Sequence, residues 1–374
     1  MTADFDASAA RRDRSDFDRR PLVAVWETTQ ACDLACLHCR AEAQAARSPG
    51  ELDTQEARRL LDDVRDLDPG VLVLSGGDPM KRQDLCDLVT YARWKGIRVA
   101  MTPSVTPRLT DDAVRHLAAA GIIRIAFSLD GSSARIHDRF RGTPGAFDRT
   151  LQVVRIAREA GMSVQINTTI TRDNLADLPA LASLLRDWDL VLWSLFFLVP
   201  VGRGRVLPPI SPEQYEEVFA WLWSLRQQVG FEIKTTEAPH YRRFVMQALK
   251  ENRGRTTGPG PGAPERFRYA SLNVNDGRGF VFVSHTGEVY PSGFLPISVG
   301  NVRTSKLADL YRNAPLMRDL RNPDRLEGKC GCCEFRRICG GSRARAYAAT
   351  GNPFAAEPDC LYRPAASSSL LDPD

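Results

Sequence analysis

No stretch of this 374-residue chain reaches the roughly 18 consecutive apolar residues of a membrane helix; the best run, 190–201, is too short and is bounded by Pro and Gly. The first twenty residues lack the apolar core of a signal peptide, because Arg11, Arg12, Asp13, Arg14, Asp16 and Asp18 mix both signs there. A cytosolic location with no membrane contact is expected. Charge of one sign is also missing: 50 Lys and Arg face 46 Asp and Glu, so no field favours nucleic acid or an anionic lipid surface. There is no internal repeat beyond a strand–helix alternation. With 43% hydrophobic and 26% charged residues, the chain can bury a full core, expected as one large domain and one smaller one.

Cysteine is present in an odd number, nine, and its distribution is uneven. Cys32, Cys36 and Cys39 form one group; Cys330, Cys332, Cys333, Cys339 and Cys360 form another near the opposite end. In a reducing compartment such grouping favours metal binding over disulfides. Cys86 stands alone in a predicted helix, 84–94, and reads as a small buried hydrophobe.

From residue 22 onward, apolar strand-like runs alternate with segments of helical period, the pattern of βα units around a parallel sheet. Six strands are predicted, at 22–28, 71–75, 98–102, 123–128, 163–168 and 190–198. The helix after Asp53 carries Ala57, Leu60, Leu61, Val64 and Leu67 on one face, with Asp53 and Glu56 as a capping box. A second helix spans 147–160 and stops at Gly161. Periodicity leaves both an open doubly wound sheet and an incomplete barrel possible. The pattern breaks after Val229. The predicted layout is a disordered tail over 1–20, a barrel over 21–235, and a connecting segment over 236–278 with a loop at 253–265. A cysteine-bearing domain over 279–363 follows, then a tail over 364–374. That last domain should open with a hairpin, strands 279–284 and 287–290 turning at 285–287.

Directly after the first strand stands Cys32-Asp33-Leu34-Ala35-Cys36-Leu37-His38-Cys39, a Cys-x3-Cys-x2-Cys spacing. Three thiolates on one loop can hold three irons of a cubane and leave the fourth open. Zinc is the alternative, but it normally takes four ligands with C-x2-C pairs, and His38 is poorly placed as the fourth. Farther on, Gly76-Gly77-Asp78-Pro79 follows strand two, Ser128-Leu129-Asp130-Gly131 follows strand four, and Asn167 and Thr169 alternate onto one face of strand five. All lie at C-terminal strand ends, where parallel α/β folds place active sites.

The cysteine loop resembles the signature of the radical S-adenosylmethionine (SAM) superfamily, and the match continues over roughly 22–363. The resemblance implies an incomplete (β/α)6 TIM-like barrel, an α/β fold, with a SPASM- or twitch-type extension. It implies a [4Fe-4S] cluster on Cys32, Cys36 and Cys39 whose open iron binds SAM, and one-electron cleavage of SAM to a 5′-deoxyadenosyl radical. His38 then approaches the adenine. Gly76, Gly77, Asp78 and Pro79 match the family's Gly-Gly-Glu-Pro at the methionine ammonium, with Asp for Glu. Ser128 and Asp130 match Ser-x-Asp-Gly near the ribose and methionine. Thr102 is carried over from a Thr-Asn-Gly that reads Thr102-Pro103-Ser104 here.

Cys330, Cys333, Cys339 and Cys360 give Cys-x2-Cys-x5-Cys-x20-Cys, with Cys332 as a neighbour in the loop. Four thiolates would saturate a cubane, which suits electron relay or support; zinc would be served equally. The segment resembles the SPASM extension with two ligands missing, Ser292 and Ser342 standing where the two-cluster form has Cys, which implies one auxiliary [4Fe-4S] cluster. The reduced spacing and the run 234–243 look most like radical SAM enzymes of alternative haem and haem-d1 biosynthesis. The expected function is radical modification of a tetrapyrrole carboxylate side chain, with a flavodoxin or ferredoxin as reductant. Arg203 and Arg205, after strand six, would pair with substrate carboxylates. His240 would protonate the substrate or ligate its metal. Maturation of a ribosomally made peptide is the enzymatic alternative, and an iron–sulfur carrier or scaffold the non-enzymatic one.

Overall fold

Alternation of buried and lumen-facing residues shapes the sheet. In the strand Ser163–Ile170 every second residue, Val164, Ile166, Thr168 and Ile170, is buried, and the others turn inward. The computed structural model describes residues 17–255 and 273–365. Seven parallel strands run β1 (Val23–Glu27), β2 (Val71–Ser75), β3 (Val99–Met101), β4 (Arg124–Ser128), β5 (Ser163–Ile170), β6 (Leu192–Phe197) and β7 (Glu232–Thr236), paired in chain order. Helices cover the outer face: α1 (Thr54–Leu67), α2 (Leu85–Trp94), α3 (Asp111–Ala120), α4 (Ala134–Arg141), α5 (Ala146–Glu159), α6 (Leu178–Arg186), α7 (Pro212–Leu225) and α8 (Tyr241–Arg255). Their apolar faces and the outward residues of the strands make one continuous core.

Beyond β7 the chain returns to the opposite edge. β8 (Phe280–Val283) pairs parallel with β1, and β9 (Glu288–Tyr290) and β10 (Gly300–Asn301) extend that edge antiparallel. The outermost strands of this ten-stranded order, β10 and β7, are not paired, so the barrel stays open. The sheet is nonetheless curved: Lys234 and Thr236 of β7 line the same cavity as Phe280 and Phe282 of β8. Short helices α9 (Leu307–Asn313), α10 (Pro315–Arg321), α11 (Gly328–Gly331) and α12 (Arg343–Thr350) complete the C-terminal part. No helix among the described residues is long and apolar enough to cross a membrane.

All six predicted strands are present within a residue or two of their expected ends, and the capping box of Asp53 and Glu56 forms on α1. The predicted hairpin is the β8–β9 pair. A seventh strand, β7, was not foreseen. Residues 17–20, expected within a loose tail, are tied down: Phe17 is buried, and its carbonyl accepts from Tyr311 Oη at 2.6 Å. Of the expected loop 253–265, residues 253–255 belong to α8 and the rest lies outside the described residues. Of the two expected tails, 1–16 and 366–374 also lie outside them. Cys86 is exposed, not buried: α2 packs Leu85, Leu88, Val89 and Ala92 inward, and position 86 falls on the other face.

Candidate active site and a second cysteine centre

The loop after β1 is closed on itself before any ligand is considered. Cys32 N–H donates to Gln44 O at 2.7 Å, Gln44 N–H returns to Gln30 O at 3.2 Å, and Gln30 Nε2 donates to Ala41 O at 2.9 Å. Buried Glu51 accepts from Thr29 Oγ1 and from Gln30 N–H. Gly76 and Gly77 press on this loop from β2: a Cβ on Gly77 would sit 2.4 Å from Ala31 O, and one on Gly76 would sit 2.6 Å from Thr29 O. Their glycine character therefore serves backbone pairing, with Gly77 N–H donating to Thr29 O at 2.8 Å and Asp78 N–H to Ala31 O at 2.6 Å.

Cys32, Cys36 and Cys39 open into one cavity of about 210 Å³ at the C-terminal mouth of the strands. Each sulfur faces a donor: Leu34 N–H to Cys32 Sγ at 3.4 Å, Ala43 N–H to Cys39 Sγ at 3.4 Å, and Arg141 Nη1 to Cys36 Sγ at 3.7 Å. Burial pushes the Cys32 thiol up, a cost that bound iron would offset. Among the described residues, no three His, Cys, Asp or Glu side chains close on a single metal position. Three thiolates on one cavity suit a cubane, which takes each at a separate corner and leaves the fourth iron open.

Of the sequence-chosen SAM contacts, His38, Gly76, Gly77, Thr102, Ser128, Asn167 and Thr169 all line this cavity. His38 packs on Phe140 with centroids 4.7 Å apart and the ring planes tilted by 39°, and burial beside Arg141 holds its ring well below the usual imidazole range, hence neutral. Asp78, Pro79 and Asp130 do not line it. Asp78 is fully buried and accepts from Thr106 Oγ1 at 2.9 Å, Met80 N–H at 3.1 Å and Ser104 N–H at 3.3 Å, so it braces the neighbouring loop. Asp130 accepts from Thr169 N–H at 2.7 Å and meets Arg141 Nη2 at 2.5 Å. It thereby aims at Cys36 an arginine that sequence reasoning missed. Ser104 was missed too; its Oγ donates to Gly77 O at 2.8 Å and lies 3.4 Å from Cys32 Sγ. The departure from Thr-Asn-Gly at 102–104 was the one available signal.

The three proposed substrate contacts lie elsewhere. Arg203 clamps the cysteine loop, its Nε donating to Cys36 O at 3.0 Å and its Nη1 to Ala43 O at 3.2 Å. Arg205 is exposed on a short turn. Neither arginine lines the cavity of the three cysteines, and His240 lies at the second cysteine centre. The charged lining comes instead from a larger cavity, about 350 Å³, inside the barrel. It shares Arg40, Ser75, Thr102, Asn167, Phe196 and Phe294 with the first cavity and adds Lys234 and Arg242. Burial, with Arg242 and Arg124 nearby, lowers Lys234 to about 8. Arg40 is held by Glu27 at 2.5 Å, and His285 Nδ1 reaches the same carboxylate at 2.6 Å.

Cys330, Cys333, Cys339 and Cys360, the four chosen by spacing, line a separate cavity together with His240, and Cys332 is absent from it. Backbone donors meet the sulfurs here as well: Glu357 N–H to Cys330 at 3.3 Å, Phe335 N–H to Cys333 at 3.4 Å and Gly341 N–H to Cys339 at 3.4 Å. Burial pushes Cys333 up to about 11 and Cys339 up to about 12. The serines at the expected ligand positions have other partners. Ser342 caps α12 and donates to Glu237 Oε2 at 2.5 Å; Ser292 Oγ accepts from Phe294 N–H at 3.2 Å.

The profile of the Radical SAM superfamily matches residues 26–185. The AdoMet-dependent heme synthase of Methanosarcina barkeri is 39% identical over 92% of this chain and 97% of that protein. The Fe-coproporphyrin III synthase of the same organism is 32% identical over 92% and 88%. The crystal structure of Streptococcus suis SuiB bound to S-adenosylmethionine shares the fold, with a TM-score of 0.69 at 16% identity over 92% of this chain and 78% of that one. The chain is a radical SAM enzyme, a family that works with a [4Fe-4S] cluster and SAM, and it belongs to the group of that superfamily that contains AdoMet-dependent heme synthase and Fe-coproporphyrin III synthase.

Proposed function

We propose that this enzyme oxidatively removes a carboxylate from a tetrapyrrole side chain, converting a propionate to a vinyl group or trimming a related acid. The observation that carries the reading is the barrel cavity. It opens onto the SAM-site cavity across six shared residues and is lined by Lys234 and Arg242, cations suited to an acidic substrate, while the acids on the same wall, Glu237 and Asp276, are both raised by burial toward the neutral form. The relatives' names fit this, over nearly the whole chain.

The cluster on Cys32, Cys36 and Cys39 supplies, when bound with SAM, the single electron that yields a 5′-deoxyadenosyl radical. The residues around it do the rest. Thr102, Ser128, Asn167 and Thr169 offer polar groups to the nucleotide, and the neutral His38, packed on Phe140, closes its edge. Phe196 and Phe294 stand at the junction, where they exclude water from a substrate carbon. Loss of a hydrogen atom from the propionate carbon attached to the ring leaves a radical. Release of CO2 and one electron from that carboxylate-bearing radical gives the vinyl group, with atoms and charge balanced. Cys330, Cys333, Cys339 and Cys360 would hold a second [4Fe-4S] cluster, which would supply a one-electron acceptor for the surplus electron. A flavodoxin or ferredoxin in the cytosol is the proposed source of the first electron.

Anaerobically reconstituted protein, with about four irons per cubane and two cubanes, would be given SAM, a reductant and an iron porphyrin bearing propionates. Vinyl products with matching 5′-deoxyadenosine are expected. Adenosine product that a porphyrin never stimulates, with the porphyrin unchanged, would overturn the substrate.

A further inference from the structure

His240 has no exposed surface and is set immediately before α8, against Tyr215 and Phe219 at ring-centroid distances of 5.1 and 4.9 Å. Among the described residues, neither of its ring nitrogens has a hydrogen-bond partner. A buried imidazole without partners is costly, on the order of 1–3 kcal/mol for each polar group left unsatisfied. The ring lines the cavity that Cys330, Cys333, Cys339 and Cys360 share. Other charged side chains of that wall are anchored: Arg243 pairs with Glu216 and Arg336 with Asp324, though the Nε of each has no partner among the described residues; Lys329 Nζ donates to Cys360 O at 2.5 Å, and Glu357 accepts from Arg345. His240 is thus a donor-bearing ring with nothing to donate to, beside four thiols that would hold a sulfur-rich group.

We propose that His240 donates a ring N–H to the sulfur framework of the C-terminal cluster and raises its reduction potential, making it an electron acceptor. This rests on the reading that those four thiols carry a cluster. Reduction adds one negative charge to the iron–sulfur core, so a donor at its sulfurs stabilises the reduced form more than the oxidised one. The apolar ring faces of Tyr215 and Phe219 keep the donor out of water, where it would lose strength. The electron taken up is the one released with CO2, and it leaves to an external acceptor of the ferredoxin or flavodoxin class.

The test uses the full chain with Cys32, Cys36 and Cys39 replaced by Ala, so that any iron reports on the C-terminal site. Absence of a cluster in this protein would refute the cluster reading itself, before His240 is considered. Given a cluster, redox titration followed by electron paramagnetic resonance should show His240→Phe reduced less readily, the reduction equilibrium constant falling about tenfold, or about 59 mV for one electron. His240→Gln, which keeps an N–H donor, should recover most of the loss. An unchanged potential in an iron-replete His240→Phe protein would overturn the proposal. Should that variant lose its iron, the parent protein decides. A weakly coupled exchangeable proton and a weakly coupled nitrogen, shifted by 15N-histidine labelling, are expected on the reduced cluster. No histidine coupling, or the strong coupling of a direct iron ligand, would overturn it.

Discussion

The two cysteine centres use the same backbone device in different surroundings. In both, the N–H two residues beyond a cysteine turns back onto its sulfur: Leu34 to Cys32, Phe335 to Cys333, Gly341 to Cys339. The first centre presents three thiols from one continuous loop to a cavity that opens onto the barrel cavity. The second gathers four thiols from segments as far apart as Cys330 and Cys360 and closes them under His240 and Tyr362. Ligand count and access, not the local turn, separate the two: three thiols on a cavity with room for a further ligand against four that could saturate a cubane.

Cross-wise cysteine replacement should break this comparison most sharply. Cys36→Ala is expected to abolish 5′-deoxyadenosine formation and remove about half the iron, leaving the C-terminal signal intact. Cys339→Ala should remove the other half, keep SAM cleavage and abolish vinyl product. Iron analysis with quantified adenosine product checks both. Loss of SAM cleavage in an iron-half-loaded Cys339→Ala protein would mean that the centres are not independent.

Glycine replacement sharpens the same contrast at smaller effect. A Cβ on Gly77 meets Ala31 O at 2.4 Å, and one on Gly341, whose φ is +64°, meets Arg343 Nη2 at 2.4 Å and Glu357 Cβ at 2.8 Å. Each variant should lose about 1–3 kcal/mol of stability and loosen iron only at its own centre. Thermal melts and iron counts would show whether either disturbance crosses to the other.

Two carboxylates behind the centres, Glu27 and Glu237, respond to pH in opposite senses. Burial pushes Glu27 up, but Arg40 and His285 outweigh it, so its carboxyl ends below the usual value. Its contribution is present above the unfolded pKa near 4.5 and is lost as pH falls through the lower folded value. Glu237 is raised to about 8 by burial and by the neighbouring Asp276. Between 4.5 and 8 the folded state holds a proton that the unfolded chain has released, so stability falls as pH rises across that window. Glu27→Gln should therefore lower the melting temperature at pH 7, with the deficit shrinking toward acid. Glu237→Gln should raise it at pH 8, with the gain shrinking toward pH 4.5. Parallel pH profiles for the two variants would remove the contrast.

What was legible in the sequence divides along similar lines. The six strands carry their signal locally, in apolar runs ended by turns, and both cysteine sets are local spacings. β7 was not legible because Glu232-Ile233-Lys234-Thr235-Thr236 is polar on the side that faces the lumen and none of its residues is fully buried. The parallel pairing of β8 with β1 joins segments more than 250 residues apart, Val23 opposite Phe280, and no local pattern encodes it. At the site, residues lining the cavity were recoverable from motif positions. Asp78 and Asp130 have motif positions as well, but their carboxylates turn into the wall, toward Thr106 and Arg141. His240 was drawn to the substrate by its chemistry alone; its true neighbours, Cys330 to Cys360, come about ninety or more residues later and meet it only after the sheet edge is built.

The smallest expected effect concerns the two cysteines outside both centres. Cys332 sits between ligands in sequence, yet it does not line the shared cavity, and its Sγ instead donates to Lys329 O at 3.7 Å. Cys86 is exposed on the outer face of α2. Neither loses packing or a close partner when its sulfur becomes an oxygen, so Cys332→Ser and Cys86→Ser should each stay within about 0.5 kcal/mol of the parent. Both should keep full iron and SAM cleavage. Iron loss confined to Cys332→Ser would show that it, and not one of its neighbours, completes the C-terminal set. The four-thiol cavity would then have to rearrange on loading, because a swap with Cys333 turns the ligand loop by one residue and withdraws the sulfur that Phe335 N–H now meets.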